Sequence, residues 1–281
     1  MYQTAWRSFR DFVGQRNGSI EPSIDDAVKF ISYLSCQGFA SSTIKSYISA
    51  ISFTCKLNNI FDPTECFIVK KMLTGLTRLD IRKDIREPIT YPILVKIVQT
   101  LPCICYTKYE TILFTAIFVL AFFGFMRIGE LAQDSEANVG HALQYDDVKI
   151  ENDSIEIRIK HSKTDQTGKG VIICVTASGK GVCPVKCIME YEKIRPKIKK
   201  SYFCHFSGKY VTRYQVTSVL KKTLDVSLAK SALYKSHSFR IGAATSAAMA
   251  GASDEDIAKM GRWKSSAYKN YIRIPSTSII F

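Results

Sequence analysis

Nowhere in the 281 residues is there an apolar run long enough to cross a bilayer. A spanning helix needs ~20 apolar residues. The longest stretch here, Ile112–Met126 (ILFTAIFVLAFFGFM), has 15 and stops on Arg127, so it reads as a buried core helix. The N-terminal MYQTAWRSFRDF is amphipathic and charged, without the apolar centre of a signal peptide. Secretion and membrane partners are therefore not expected. Histidine is scarce, with four residues. Carboxylates are not clustered as two catalytic cations require, which counts against a metal-dependent nuclease or transposase. There is no internal repeat and no low-complexity tract. Acidic residues are the minority sign, 25 against 39 basic, for a formal net charge of +14. That imbalance points to a polyanionic partner, either nucleic acid or an anionic membrane surface.

What is present fits a folded protein. Hydrophobic residues make up 46% and aromatics 11% of the chain, enough for a core. The nine cysteines are odd in number and scattered, which suits a reducing compartment better than a disulfide framework. Cys183-xxx-Cys187 and Cys204-His205 are the one pairing that suggests zinc, but CPVKCIMEYEK reads as a helix entry with Pro184 near its start. Buried small hydrophobes are the preferred reading, and no metal or other cofactor is expected.

Residues 1–77 read as a helical domain. Trp6, Phe9, Phe12 and Val13 recur at helical spacing, Ser23 can cap a helix with Asp26 at the capping-box position, and Ser41-Ser42 opens a helix with Ile44, Tyr47, Ile48 and Ile51 as its apolar stripe. A charged stretch at 78–90, ending on Pro88 and its neighbours, reads as a linker. Residues 91–281 form the second domain. Helices are expected at Tyr91–Leu101 and Thr107–Phe122, then a hairpin of Ser154–Ile159 and Val171–Thr176 with Asp147–Ile150 as third strand, then helices again from Cys183. The fold class is mainly α with a small antiparallel β-sheet. Residues 1–87 hold 12 basic and 9 acidic side chains and residues 88–281 hold 27 and 16, so the second part carries most of the positive field.

Four polar islands stand in apolar surroundings. Arg127 follows the core helix, with Glu130 three residues on, either a structural ion pair or a poised cation. His237 and Arg240 share a helix face in HSFR and could meet one phosphate, or form a surface pair. Lys163 sits in the hairpin turn, with Lys160 and Lys169 as rivals for the role of point charge or proton donor. Trp263, Tyr268 and Tyr271 lie in GRWKSSAYKNYIR.

The order and spacing of these islands resemble the tyrosine recombinases of the phage-integrase family, over nearly the whole chain. HSFRIGAATSAAMAG and NYIR resemble the Cre type. GRW and SKTDQ resemble recombinases of eukaryotic mobile elements, the DIRS-like and Crypton-like groups. The resemblance implies a helical core-binding domain and an α+β catalytic domain closing on DNA as a C-shaped clamp. It assigns the catalytic positions to Arg127, Lys163, His237, Arg240, Trp263 and Tyr271, with Glu130 in support. One departure stands out: Arg262, not Trp263, directly follows Gly261.

The chemistry is consistent with that assignment. A phosphodiester gathers negative charge on its equatorial oxygens during displacement, and two guanidiniums can bind those oxygens. Tyrosine is a weak nucleophile with an ordinary pKa of about 10, and neighbouring cations favour its phenolate. Attack yields a covalent phosphotyrosine. Lys163 would protonate the leaving 5′ oxygen, and no step calls for a metal or nucleotide. Tyr271 has the family spacing, while Tyr268, about one turn earlier, reads as packing.

Further DNA contacts are expected from Arg213, Gln215, Lys221 and Lys222 on a helix at Thr212–Leu224. In the small domain, Ser42, Thr43 and Lys45 start a helix whose N-terminus could hold a phosphate. The expected partner is double-stranded DNA with paired recombination sites, bound by a homotetramer that is monomeric in solution. In a eukaryote the location would be the nucleus, otherwise the cytoplasm. The rivals are a DNA-binding module that has lost catalysis and a type IB topoisomerase-like enzyme.

Overall fold

A computed structural model describes residues 2–17, 22–80, 84–134, 140–160 and 170–273. The chain divides into two compact units, Met1–Asp84 and Ile85–Phe281.

The first unit is helical. It comprises α1 (Tyr2–Asn17), α2 (Ile24–Cys36), α3 (Ser41–Leu57) and α4 (Phe67–Leu79). Ser23 caps α2: its hydroxyl accepts from the Asp26 amide and the Asp26 carboxylate accepts from the Ser23 amide, a complete capping box despite the short acidic partner. Phe9, Phe30, Ile31, Leu34, Ile48, Ile51 and Val69 form the core. The stripes of α1, α2 and α3 meet there because each helix is apolar on one side only.

The second unit contains α5 (Tyr91–Ile104), α6 (Lys108–Phe123), α7 (Ile128–Leu131), β1 (Val148–Ile150), β2 (Ser154–Ile159), β3 (Val171–Thr176), α8 (Pro184–Ile194), α9 (Arg213–Ser227), α10 (Ser238–Met249) and α11 (Asp254–Gly261). A 3₁₀ segment follows at Ser266–Tyr271. The sheet is antiparallel in the order β1-β2-β3, with Val148 opposite Ile157 and Ile157 opposite Ile173. Ile155, Ile157 and Ile159 all face the core, as the alternation requires. Asp147 belongs to a 3₁₀ turn rather than to the third strand. Most of the apolar run lies in α6, which is buried from Leu113 to Phe122 except at half-covered Thr115, with Thr111 and Ile112 half-covered before it. A helix covered on every side needs no polar face, which is why its sequence shows no amphipathic period.

The stretch expected as a linker is divided between the two units. Arg78 and Leu79 finish α4. Ile89 is fully buried in the second unit, its amide donating to the Ser238 carbonyl at 2.9 Å. A Cβ on Gly242 would fall 1.7 Å from the Ile89 carbonyl oxygen, so α10 packs against this segment only because position 242 has no side chain. Ile89 thereby helps seat the start of α10, where His237 and Arg240 lie.

Candidate active site

The site is built where α6 ends. Gly124 and Phe125 turn the chain sharply, and Phe125 adopts the left-handed conformation (φ 49°) while remaining buried. A bulky residue holds that conformation only when its surroundings enforce it. The consequence is a carbonyl aimed into the site: Phe125 O accepts from Nη1 of Arg240 and, at 3.1 Å, from Nη2 of Arg262.

Arg127 comes two residues later, at the N-cap of α7. Its Nη1 donates to Glu130 Oε1 and its amide to Glu130 Oε2, both at 2.9 Å. The Arg127 side chain is 21% exposed and that of Glu130 7%, so the carboxylate is enclosed while the guanidinium faces a cleft. The cleft has a volume of about 320 Å³ and is lined by Arg127, Gln133, His141, Arg213 and His237 among others. The lining also holds Glu130 and Asp134, which pair with Arg127 and Arg213, so both guanidiniums that face the cleft are steadied by a carboxylate.

His237 is the N-cap of α10. Arg240, one turn on, is fully buried. Its Nη2 donates to the Gly261 carbonyl at 2.8 Å, and its guanidinium lies 4.6 Å from the Trp263 ring and 5.8 Å from the Tyr271 ring. Burial, then the neighbouring Arg127 and Arg262, push its pKa down to about 10, with Glu130 opposing. It remains a cation at neutral pH. The two guanidiniums differ in setting: Arg127 faces the cleft, whereas Arg240 is enclosed by Trp263, Tyr271 and two backbone carbonyls. Only its Nε is left without a hydrogen-bond partner.

Trp263 and Tyr271 close the site, their rings 4.8 Å apart. The Tyr271 hydroxyl lies 3.4 Å from Nε2 of His237. That is longer than a full hydrogen bond, as is common before substrate binds. The backbone at Tyr271 is pinned to α10: Thr245 Oγ1 donates to the Tyr271 carbonyl at 3.3 Å and accepts from the Arg273 amide at 3.0 Å. Tyr268 points elsewhere. Its hydroxyl donates to Asp254 at 2.9 Å, and burial, then that bond, raise its pKa. The two tyrosines share a 3₁₀ segment, not an α-helix, yet only Tyr271 reaches His237.

The structure thus brings together Arg127, Glu130, His237, Arg240, Trp263 and Tyr271. Lys163 and its rival Lys169 lie outside the described residues. The other rival, Lys160, is paired with Asp147 at 2.7 Å. Reading residues alone missed Arg262, although its place directly after Gly261 was the signal. It also missed Thr245, whose role depends on which backbone passes beside it.

The expected DNA contacts are more scattered. Arg213 lines the cleft and pairs with Asp134 at 2.6 Å. Lys221 and Lys222 are exposed on α9. Gln215 completes the α9 capping box: its Oε1 accepts from the Thr212 amide and lies 3.2 Å from the His205 ring, so that oxygen is not free to read a groove. In the first unit Ser42 and Lys45 are exposed and Thr43 is half-buried. The N-terminus of α3 is already occupied in part, because the Ser41 amide donates to the Asp80 carboxylate at 2.8 Å. A phosphate there would have to displace an anion.

No family model and no curated protein matches the sequence. Solved structures do match in fold. XerH site-specific recombinase bound to its difH substrate is similar over 99% of this chain and 75% of its own, with TM-score 0.60 and 13% identity. A lambda integrase dimer bound to a COC' core site is similar over 100% of this chain and 72% of its own, with TM-score 0.63 and 14% identity. The Tn1549 transposon integrase in complex with circular intermediate DNA is similar over 98% and 89%, with TM-score 0.64 and 16% identity.

Proposed function

We propose that this chain, which has the fold of the tyrosine recombinases, is a site-specific DNA recombinase of a mobile element, cutting and rejoining DNA through a 3′-phosphotyrosine on Tyr271. The observation that carries this reading is convergence. Residues 127–130, 237–240, 263 and 271 are far apart in sequence, yet the Tyr271 hydroxyl, the His237 ring and the Arg240 guanidinium lie within one cluster beside the Arg127 cleft. Structural ion pairs alone do not require a tyrosine hydroxyl turned toward them.

In this reading Arg127 binds the scissile phosphate in the cleft. Tyr271 gives its proton to His237 or to solvent, attacks phosphorus and forms the P–Oη bond as the P–O5′ bond breaks. Lys163 delivers a proton to the departing 5′ oxygen. Arg240 stabilises the charge on the equatorial oxygens once the enclosing groups adjust to bound phosphate. Rejoining is the same sequence reversed with a new 5′ hydroxyl. The reaction runs on paired sites in double-stranded DNA within a homotetramer, in the nucleus if the host is eukaryotic.

One observation favours a second reading, a DNA-binding module that has lost catalysis: two donors of Arg240 are already taken by backbone carbonyls. A single assay separates the two. A nicked suicide DNA carrying the element's terminal repeats is incubated with the protein, and the covalent adduct is sought on a denaturing gel. The recombinase reading expects an adduct that Tyr271→Phe abolishes. Tight binding with no adduct would sink it.

A further inference from the structure

Arg262 takes no part in the steps just described, yet its setting is unusual. Its backbone is left-handed, φ 57° and ψ 41°, which a long side chain adopts only when its surroundings hold it there. Its side chain is 7% exposed. Nη2 donates to Glu130 Oε2 at 3.0 Å and to Phe125 O at 3.1 Å, while Nε and Nη1 are buried without a hydrogen-bond partner. Leaving buried donors unpaired is costly, and an arginine with a purely structural task would not need them.

Glu130 is the link. Its Oε1 accepts from the Arg127 guanidinium, and its Oε2 accepts from the Arg127 amide and from Arg262. We infer that Arg262 is a positioning residue that acts through Glu130: it locks the carboxylate that aims Arg127 into the cleft, and couples that loop to the segment ending at Tyr271. The structural part rests on geometry alone, and the catalytic consequence rests on the recombinase reading. The charge balance agrees. Arg127, Arg240 and Arg262 surround one carboxylate, leaving two positive charges uncompensated. A phenolate attacking a phosphodiester draws its charge onto the phosphoryl group, which goes from one negative charge towards two in the transition state, so the cluster matches the phosphate in that state better than the singly charged phosphate before attack. Without Arg262 the match is lost and Glu130 can swing.

The test uses the full chain with ¹⁵N-labelled arginine and two readouts. Without DNA, hydrogen exchange at the Arg127 guanidinium is followed by NMR. Arg262→Gln should accelerate it about tenfold by freeing Glu130, and Arg262→Lys, which keeps a charge and a donor, should restore most of the protection. With suicide DNA, Arg262→Gln should slow adduct formation by about 10²-fold through misplacement of Arg127, with DNA affinity unchanged. In an Arg127→Lys background it should add little further loss. Unchanged Arg127 exchange overturns the inference, as does a defect that multiplies with Arg127→Lys. If Arg127 exchange responds as expected but the unmodified protein forms no adduct, the positioning role stands and the recombinase reading falls.

Discussion

Gly261 ends α11 directly beneath the indole of Trp263. A methyl group added there would fall 1.6 Å from Cζ3, 2.0 Å from Cε3 and 2.3 Å from Cη2 of that ring. Ordinary contact begins at 3.4 Å, so Gly261→Ala forces the ring to retreat by roughly 2 Å, an overpacking expected to cost about 1–3 kcal/mol. The ring has little room to do so. The Arg240 guanidinium lies 4.6 Å from it, the Tyr271 ring 4.8 Å and the Phe125 ring 6.2 Å. The Gly261 carbonyl is itself the acceptor for Arg240 Nη2. Two effects should therefore appear together. The melting temperature should fall by about 2–4 °C per kcal/mol for a domain of this size. Adduct formation should slow by about 10²-fold, because the nucleophile shifts by a sizeable fraction of an ångström. Differential scanning calorimetry and the suicide-substrate gel measure the two. The decisive control is Trp263→Ala. With the indole gone, the three nearest obstacles to the added methyl are removed, so Gly261→Ala should cost far less in that background, a strong departure from additivity. If Gly261→Ala leaves both stability and rate unchanged, or costs the same with and without Trp263, the packing argument is wrong.

Tyr271→Phe should abolish the adduct with DNA affinity nearly unchanged, whereas Tyr268→Phe, which loses only the bond to Asp254, should keep it; the reverse pattern on the same gel would reassign the nucleophile. Lys163→Ala should slow cleavage by roughly 10²–10⁴-fold, and a substrate with a 5′-bridging sulfur, whose leaving group hardly needs a proton, should restore the rate; equal slowing on both substrates would rule Lys163 out as the acid. The Cys55 thiol is raised from 9.0 to about 11 by burial and then by Asp62. A raised thiol favours the folded state fully below pH 9, and that contribution is lost as pH rises through 11, so alkylation at pH 8.5 should mark exposed Cys36, Cys103 and Cys174 and spare Cys55 until the first unit unfolds. With a net charge of +14, DNA-free protein at micromolar concentration should sediment as a monomer at low salt; a stable tetramer would contradict that.

Much of the fold could be read from local pattern. The Ile155-Ile157-Ile159 alternation and the turn-rich stretch after it define a hairpin whatever it packs on, and β2 and β3 have the expected bounds. Ser23 with Asp26 marks a helix start because a cap is a bond between near neighbours in sequence, whereas Gln215, read as a DNA contact, is the capping partner of Thr212. The candidate residues were also legible, since each is a polar group set against an apolar run.

What the sequence could not determine is which donors and acceptors meet across long separations. Asp80 reaching the start of α3, the Phe125 carbonyl shared by Arg240 and Arg262, and Thr245 holding the backbone at Tyr271 all join residues at least 26 apart. The enclosure of Arg240 is of the same kind. Helical spacing places it near His237, but only the tertiary packing of Trp263 and Tyr271 decides that its guanidinium is covered. The physical reason is range. Periodicity and capping act over three or four residues, whereas the partner of a buried charge is set by whichever segment the core brings beside it, and the sequence carries no mark of that meeting.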